Sequence, residues 1–206
     1  MIEIPKETKI LIIEGVAGAG KTTLKEILKK YYQDRNIFEF LEEETLLGWK
    51  HIHIPHIANL RLDYCNLFLD YIEKKLKEEQ NPLFIFERFH LSIKILEWEF
   101  ENNFLKRYEA LLNRLNQLPV FLIIVELEET IIKERMFHRE RSKQWDNFIE
   151  EKLKLRSCEN LEQLSIEQQN GFLNMAKEQK TPFTAVKVDK KDIIQNFSQL
   201  KQVDSK

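Results

Sequence analysis

The sequence predicts an α/β protein, a mostly parallel sheet wound on both faces by helices. Three observations predict it. Five short apolar runs read as buried strands, because a strand covered on both faces is continuously apolar rather than alternating. Segments with helical spacing separate these runs, which implies crossover units. Three of the chain's five glycines, Gly15, Gly18 and Gly20, follow the first run within six residues. Glycine loses the most backbone entropy on folding, so such a cluster implies close approach to a ligand or turns through positive φ.

The elements follow in order. The run KILIIE (9–14) is bounded by glycine and reads as a buried strand. IFEFL (37–41), LFIFE (83–87), VFLIIVEL (120–127) and FTAVKVD (183–189) read the same way. The glycines lead into a helix, KTTLKEILKKYYQ. A second helix over 58–79 carries Leu60, Leu67, Phe68, Tyr71, Ile72 and Leu76 at helical spacing. A third over 91–117 carries Phe104, Tyr108, Leu111, Leu112 and Leu115. Helices over 129–141, 158–179 and about 191–200 complete the pattern, and the tail QVDSK is expected to fray.

Length and composition bound the rest. The 206 residues fit a single domain over 1–206 with a small mobile insertion. A hydrophobic content of 43% suffices for a sizeable core. A net charge of −2 argues against a nucleic-acid polymer or an anionic membrane as partner. Cys65 and Cys158 match no metal or redox spacing and fit a reducing cytoplasm. The start MIEIPKETK has no apolar signal core, and no window has the length of a membrane span.

The glycine cluster has a chemical reading. GVAGAGKT fits G-x-x-x-x-G-K-[ST] from Gly15 to Thr22, after an expected strand and before an expected helix. The N–H groups of Gly15, Val16, Ala17, Gly18, Ala19, Gly20, Lys21, Thr22 and Thr23 would cradle phosphate oxygens at a helix N-terminus. Lys21 would face the β and γ phosphates, and the Thr22 hydroxyl would ligate Mg²⁺. The ligand implied is ATP with Mg²⁺. No base-reading N-K-x-D of GTPases is present.

The ends of the other strands add candidates. FERFHLS places Glu87 and Arg88 where ligands bind in a parallel sheet. Glu87 could hold the metal's water shell, and Arg88 could orient an acceptor hydroxyl or phosphate; alone, such a pair equally fits a helix cap. Arg135, Arg139 and Arg141 in ERMFHRERS could close over a triphosphate as a lid spanning about 135–146, although Glu134 and Glu140 among them also fit a solvated helix. Glu42, Glu43 and Glu44 end the second strand, where one carboxylate could accept a proton or all three could favour a helix start. His51, His53 and His56 lack a carboxylate or cysteine partner, so a loop lining the acceptor pocket is preferred to a zinc site.

Together these features resemble the deoxynucleoside kinase and thymidylate kinase group of P-loop kinases. IIEGVAGAGKTTL resembles the group's phosphate loop. FERFHLS is similar to the [D/E]-R-[F/Y]-x-x-S element of thymidylate kinases and the E-R-S element of deoxynucleoside kinases. Arg135, Arg139 and Arg141 resemble the lid of deoxynucleoside kinases. Glu44, five residues before Trp49, resembles the catalytic glutamate of their E-P-x-x-x-W element, and GFLNMAKEQ (171–179) is similar to a late helix of thymidylate kinases. The resemblance implies a three-layer P-loop kinase fold with a five-stranded sheet and an arginine-bearing lid. It implies Lys21, Glu44, Arg88, Arg135, Arg139 and Arg141 as catalytic residues and Thr22 and Glu87 at the metal. Thr45 replaces the proline after the glutamate, which leaves Glu43 as an alternative acid. The R-E-P-G-G element of thymidylate kinases is absent. Ile93 occupies the place of a base-reading aspartate, and Arg61, Asp63 or Tyr64 could read the base instead.

Three functions follow as expectations. The first is ATP-dependent phosphorylation of the 5′-hydroxyl of a nucleoside or deoxynucleoside. The second is a thymidylate-type nucleoside monophosphate kinase, in which Arg88 grips the acceptor phosphate. The third is a nucleotide-binding regulator without transfer. Helices 58–79 and 91–117 could form a homodimer face, which the resemblance implies.

Overall fold

The computed structural model describes residues 2–45, 57–96, 103–137, 143–190, 193–197 and 200–204. Its main sheet has five parallel strands in the order β3-β4-β2-β5-β6: β2 (Ile10–Gly15), β3 (Asn36–Phe40), β4 (Pro82–Glu87), β5 (Val120–Leu127) and β6 (Phe183–Val188). Every residue of β2 and β4 is buried, which is why their sequences run apolar without alternation. The chain builds outward from β2 to β3, then crosses over β2 between β4 and β5. The crevice at the carboxyl end of β2 is therefore the topological switch point, where such sheets bind ligands.

The two faces differ in chemistry. In parallel pairing, residues directly opposite each other point to the same side. Phe38 opposes Phe84 and Phe40 opposes Phe86, and both pairs stack, at 4.9 and 4.5 Å between ring centroids. Phe68 of helix α3 (Ile57–Glu78) meets Phe40 and Phe86 edge-on. Such pairs add about 0.5–1.5 kcal/mol each beyond their burial. The opposite face carries Glu39 and Glu87 toward helix α1 (Lys21–Tyr31), since Glu39 opposes Ile85 and Glu87 follows it two residues on. Leu24 and Leu28 of α1 are fully buried, and Lys21 and Lys25 lie on its buried side too.

The remaining helices are α2 (Glu42–Thr45), α4 (His90–Leu96), α5 (Phe104–Leu115), α6 (Glu129–Phe137), α7 (Lys143–Arg156), α8 (Leu161–Glu178) and α9 (Ile193–Phe197). The helix expected over 91–117 comes as α4 and α5, with 97–102 outside the described residues. The helix expected from 158 starts at Leu161, because the Asn160 side chain accepts the Gln163 N–H at 2.9 Å and caps it. α7 has no counterpart among the expected elements. The tail is also different from the expectation. Leu200–Val203 forms strand β7, which pairs in parallel with β1 (Ile2–Pro5) as a second, two-stranded sheet. Ile2 and Ile4 are buried there, and this burial orders a tail whose own sequence is polar.

Candidate active site

The glycine loop turns as its composition demands. Gly15, Gly18 and Gly20 have φ of 147°, 75° and 95°. A Cβ on Gly15 would lie 2.4 Å from the Val125 carbonyl oxygen, and one on Gly18 would lie 2.9 Å from that of Arg135. Gly15 and Gly18 are thus required twice, by backbone angle and by space, and Gly20 by angle. The second contact also fixes α6 against the loop. Beside it lies a cavity of about 470 Å³ lined by Ile131, Glu134, Arg135 and Lys190.

Lys21 opens α1 and is buried, and its ammonium donates to the Val16 carbonyl at 3.0 Å. Burial, and then the charge of Arg88, pull its pKa down to about 8 against the opposing charges of Glu42, Glu87 and Glu14. A buried ammonium in that condition gains from an anion. Next to it, the Thr22 hydroxyl donates to Glu87 Oε1 at 2.7 Å. A hydroxyl beside a carboxylate suits Mg²⁺, which takes few protein oxygens and completes its shell with water and phosphate. No group of three or more His, Cys, Asp or Glu side chains that could hold a metal occurs among the described residues. The residues present therefore fit ATP with Mg²⁺: the loop and Lys21 would hold the phosphates, and Thr22 and Glu87 the cation.

Arg88 follows β4 in a left-handed conformation, φ 66°, uncommon outside glycine. Three contacts hold it there. Its N–H donates to the Ile13 carbonyl at 2.9 Å, its Nη1 donates to Ser92 Oγ at 3.1 Å, and its Nε lies 2.9 Å from Glu42 Oε2. Glu14, at the end of β2, supports this turn from below. Its fully buried carboxylate accepts from Phe89 N–H at 2.9 Å, Ser92 N–H at 3.2 Å and Ser92 Oγ at 2.5 Å. Burial raises the Glu14 pKa, and the bonds from Ser92 and the charge of Arg88 offset part of the rise.

The acidic triplet resolves into distinct environments. Glu44 Oε2 accepts the Leu41 N–H at 2.6 Å and so closes the start of α2 on itself. Glu42, the first residue of α2, is the carboxylate that faces Arg88. Burial works to raise the Glu42 pKa, but Arg88 and Lys21 outweigh it and hold it below the ordinary value. Glu42 is thus the carboxylate of the triplet that faces Arg88, whereas the spacing to Trp49 points to Glu44. Two buried cations stand nearby. Arg61 of α3 is pulled down to about 10 by burial, with Glu42 opposing. Lys152 of α7 is pushed well below its ordinary value by burial and then by Arg61, Arg88 and Arg156.

Of the expected site residues, the structure brings Lys21, Thr22, Glu87 and Arg88 together, and sets Arg135 on the helix that touches the loop. Arg139, Arg141, Trp49, His51, His53 and His56 lie outside the described residues. Glu42 and Arg61, both among the sequence candidates, stand with Lys21 and Arg88, and Lys152 is an addition. Nothing in the sequence singles out Glu42 within the acidic triplet; it stands apart only once α2 forms and Glu44, at the third helical position, reaches back to the cap. Lys152 sits in a helix with no motif, and nothing in its neighbourhood marks it.

No protein-family model matches the chain. No curated protein matches it in sequence. Solved structures do. Thymidylate kinase from Candida albicans superposes with a TM-score of 0.57 at 14% identity, over 93% of this chain and 88% of that one. Thymidylate kinase from Ehrlichia chaffeensis gives 0.54 at 14% identity, over 94% and 92%. Deoxyadenosine kinase from M. mycoides gives 0.49 at 17% identity, over 92% and 95%. No helix of the described residues is long and apolar enough to cross a membrane. At such identity the likeness speaks for architecture, and the chain has the P-loop kinase fold of the thymidylate kinases.

Proposed function

We propose that the chain, acting as one cytoplasmic domain over 1–206, is a nucleoside kinase that transfers the γ-phosphoryl group of ATP to a 5′-hydroxyl. The observation that carries the reading is the Glu42–Arg88 pair at the crevice, 2.9 Å apart. An ionised carboxylate there suits a neutral acceptor, because it can take the hydroxyl proton and would repel an acceptor phosphate. Glu42 accepts the proton, and Arg88 fixes the carboxylate and orients the hydroxyl. Lys21 and the lid arginines, Arg135, Arg139 and Arg141, spread the charge of the transferring group. Thr22 and Glu87 hold the cation, which neutralises the phosphate oxygens when bound. The cavity beside Arg135 would take the donor base.

A second reading has a specific observation behind it. Arg61 and Lys152 are buried cations whose fields reach Glu42 and Arg88 respectively. That supports an anionic acceptor, a nucleoside monophosphate gripped by Arg88, as in the thymidylate kinases of like fold. ADP release with a panel of nucleosides and their monophosphates separates the readings. Turnover on nucleosides is expected. Preference for a monophosphate overturns the first reading in favour of the second. Nucleotide binding without ADP release on any acceptor points to a regulator.

A further inference from the structure

Lys25 is 2% exposed, yet it carries an ammonium into the interface between α1 and the sheet. It pairs with the carboxylate of Glu39 and lies 3.7 Å from Glu87 Oε2. The other oxygen of Glu87, Oε1, accepts the Thr22 hydroxyl at 2.7 Å. Glu87 is thus held at both ends, one oxygen toward Thr22 and one toward Lys25. Lys29, one turn further along α1, donates to Glu39 Oε2 at 2.5 Å and anchors the far end of the row. The row Thr22, Glu87, Lys25, Glu39, Lys29 runs along one face of α1, joining the phosphate loop to β4 and β3.

A buried ion pair is a poor way to gain stability. An apolar side chain of the same length in place of the ammonium is often neutral or better, provided its partners are also satisfied. What a buried ammonium does supply is orientation. A carboxylate that serves a cation's water shell must present a fixed oxygen, and partners of that kind tune metal affinity by about 10–100-fold. We propose that Lys25 is a positioning residue, which fixes the Glu87 carboxylate for the divalent cation of the bound nucleotide. The proposal rests on the reading of the loop as a Mg²⁺–nucleotide site, and does not depend on which acceptor is phosphorylated.

Calorimetric titration of ADP at stepped Mg²⁺ concentrations tests it without any turnover. Lys25→Met should leave ADP affinity without Mg²⁺ within about twofold of wild type and raise the Mg²⁺ concentration for half-maximal tightening by about tenfold. Lys25→Arg keeps the charge and should return that concentration to within about threefold. A structural role alone would lower the melting temperature and leave the Mg²⁺ dependence of ADP binding where it was; that result overturns the proposal, as does failure of Lys25→Arg to restore it. If Lys25→Met does not fold, Glu39→Gln loosens the same row from its other end. It should show a smaller rise in the same Mg²⁺ concentration, and no rise overturns the proposal. Wild-type protein that binds no ADP overturns the nucleotide reading itself, which separates that failure from one confined to Lys25.

Discussion

The two sides of the crevice are built in opposite ways. On the phosphate side, one continuous segment supplies most of the chemistry, joined by Glu87 from β4 and Arg135 from α6. Gly15 to Thr22 forms the loop, and α1 continues as a row of buried and half-buried charges. On the acceptor side, four separate elements each send one charged group: Glu42 from α2, Arg61 from α3, Arg88 from the end of β4 and Lys152 from α7. A contiguous site is fixed by local backbone geometry. An assembled one is fixed by tertiary packing and by pairs such as Glu42–Arg88. The first should lose function without losing fold when one charge is removed, and the second should be sensitive to how its elements sit.

The largest expected effect lies on the phosphate side. Lys21→Ala leaves the three glycine turns intact and removes the ammonium. Phosphoryl transfer should fall by about 10³-fold or more, with the far-ultraviolet spectrum unchanged. Near-normal turnover would falsify the role of the loop.

Next comes the acceptor side. Glu42→Gln keeps the shape and loses the basic oxygen, so kcat should drop by about 10²–10⁴ with a smaller change in KM. Glu44→Gln should leave kcat within about threefold, since Glu44 serves the start of α2. Steady-state kinetics on both variants decides between them. A drop confined to Glu44→Gln would reverse the assignment and mean that α2 opens during turnover.

The same contrast explains what was legible. The strands β2, β4, β5 and β6 were readable because each is a short apolar run between turns or helices. The loop was readable because its angles demand glycine at fixed spacing. The Glu42–Arg88 pair was not, because three adjacent glutamates are equivalent in sequence and differ only once α2 forms. β1 and β7 escaped for a related reason. Each is four residues long, and their pairing joins Ile2 to Leu200 across nearly the whole chain. α7 escaped because its sequence is highly charged and carries its buried Lys152 without an apolar stripe strong enough to announce a helix.

A third test uses pH. His90 opens α4 beneath Arg88, fully buried, with Nε2 3.0 Å from Gln179 Oε1. Burial pulls its pKa down from 6.5 to about 4. The unfolded chain therefore takes up its proton at higher pH than the folded one. Stability from this group is fully present above about pH 6.5 and is lost as pH falls toward 4, about 3 kcal/mol across the window. Urea unfolding at pH 7 and pH 5 should show the loss, and His90→Gln should lessen it. Glu14 acts with the opposite sign, since its pKa is raised, so the difference between variant and wild type is the quantity to read. An unchanged slope in His90→Gln would mean that the acid sensitivity of the acceptor side lies elsewhere.

The smallest effect is expected far from the crevice, where charge is plentiful and exposed. Arg114 of α5 donates to Asn66 at 3.0 Å, Asp70 at 2.7 Å and Glu73 at 3.0 Å, all on α3. By count of partners it equals Lys25, which meets Glu26, Glu39 and Glu87. Yet the Arg114 side chain is 31% exposed and that of Asp70 is 65% exposed, so water and salt screen the pairs. Beneath them, α3 and α5 already bury Leu69, Ile72, Tyr108, Leu111 and Leu115, and that apolar contact holds the helices together. Arg114→Ala should cost less than about 1 kcal/mol, a fall of no more than about 4 °C in Tm, and the difference should shrink in 1 M salt. Kinetic constants and the Mg²⁺ dependence of ADP binding should not move. A loss above about 2 kcal/mol that persists in high salt would show that this outer ion cluster, rather than the apolar contact below it, sets the angle between α3 and α5. The acceptor side, which draws Arg61 from α3, would then depend on it.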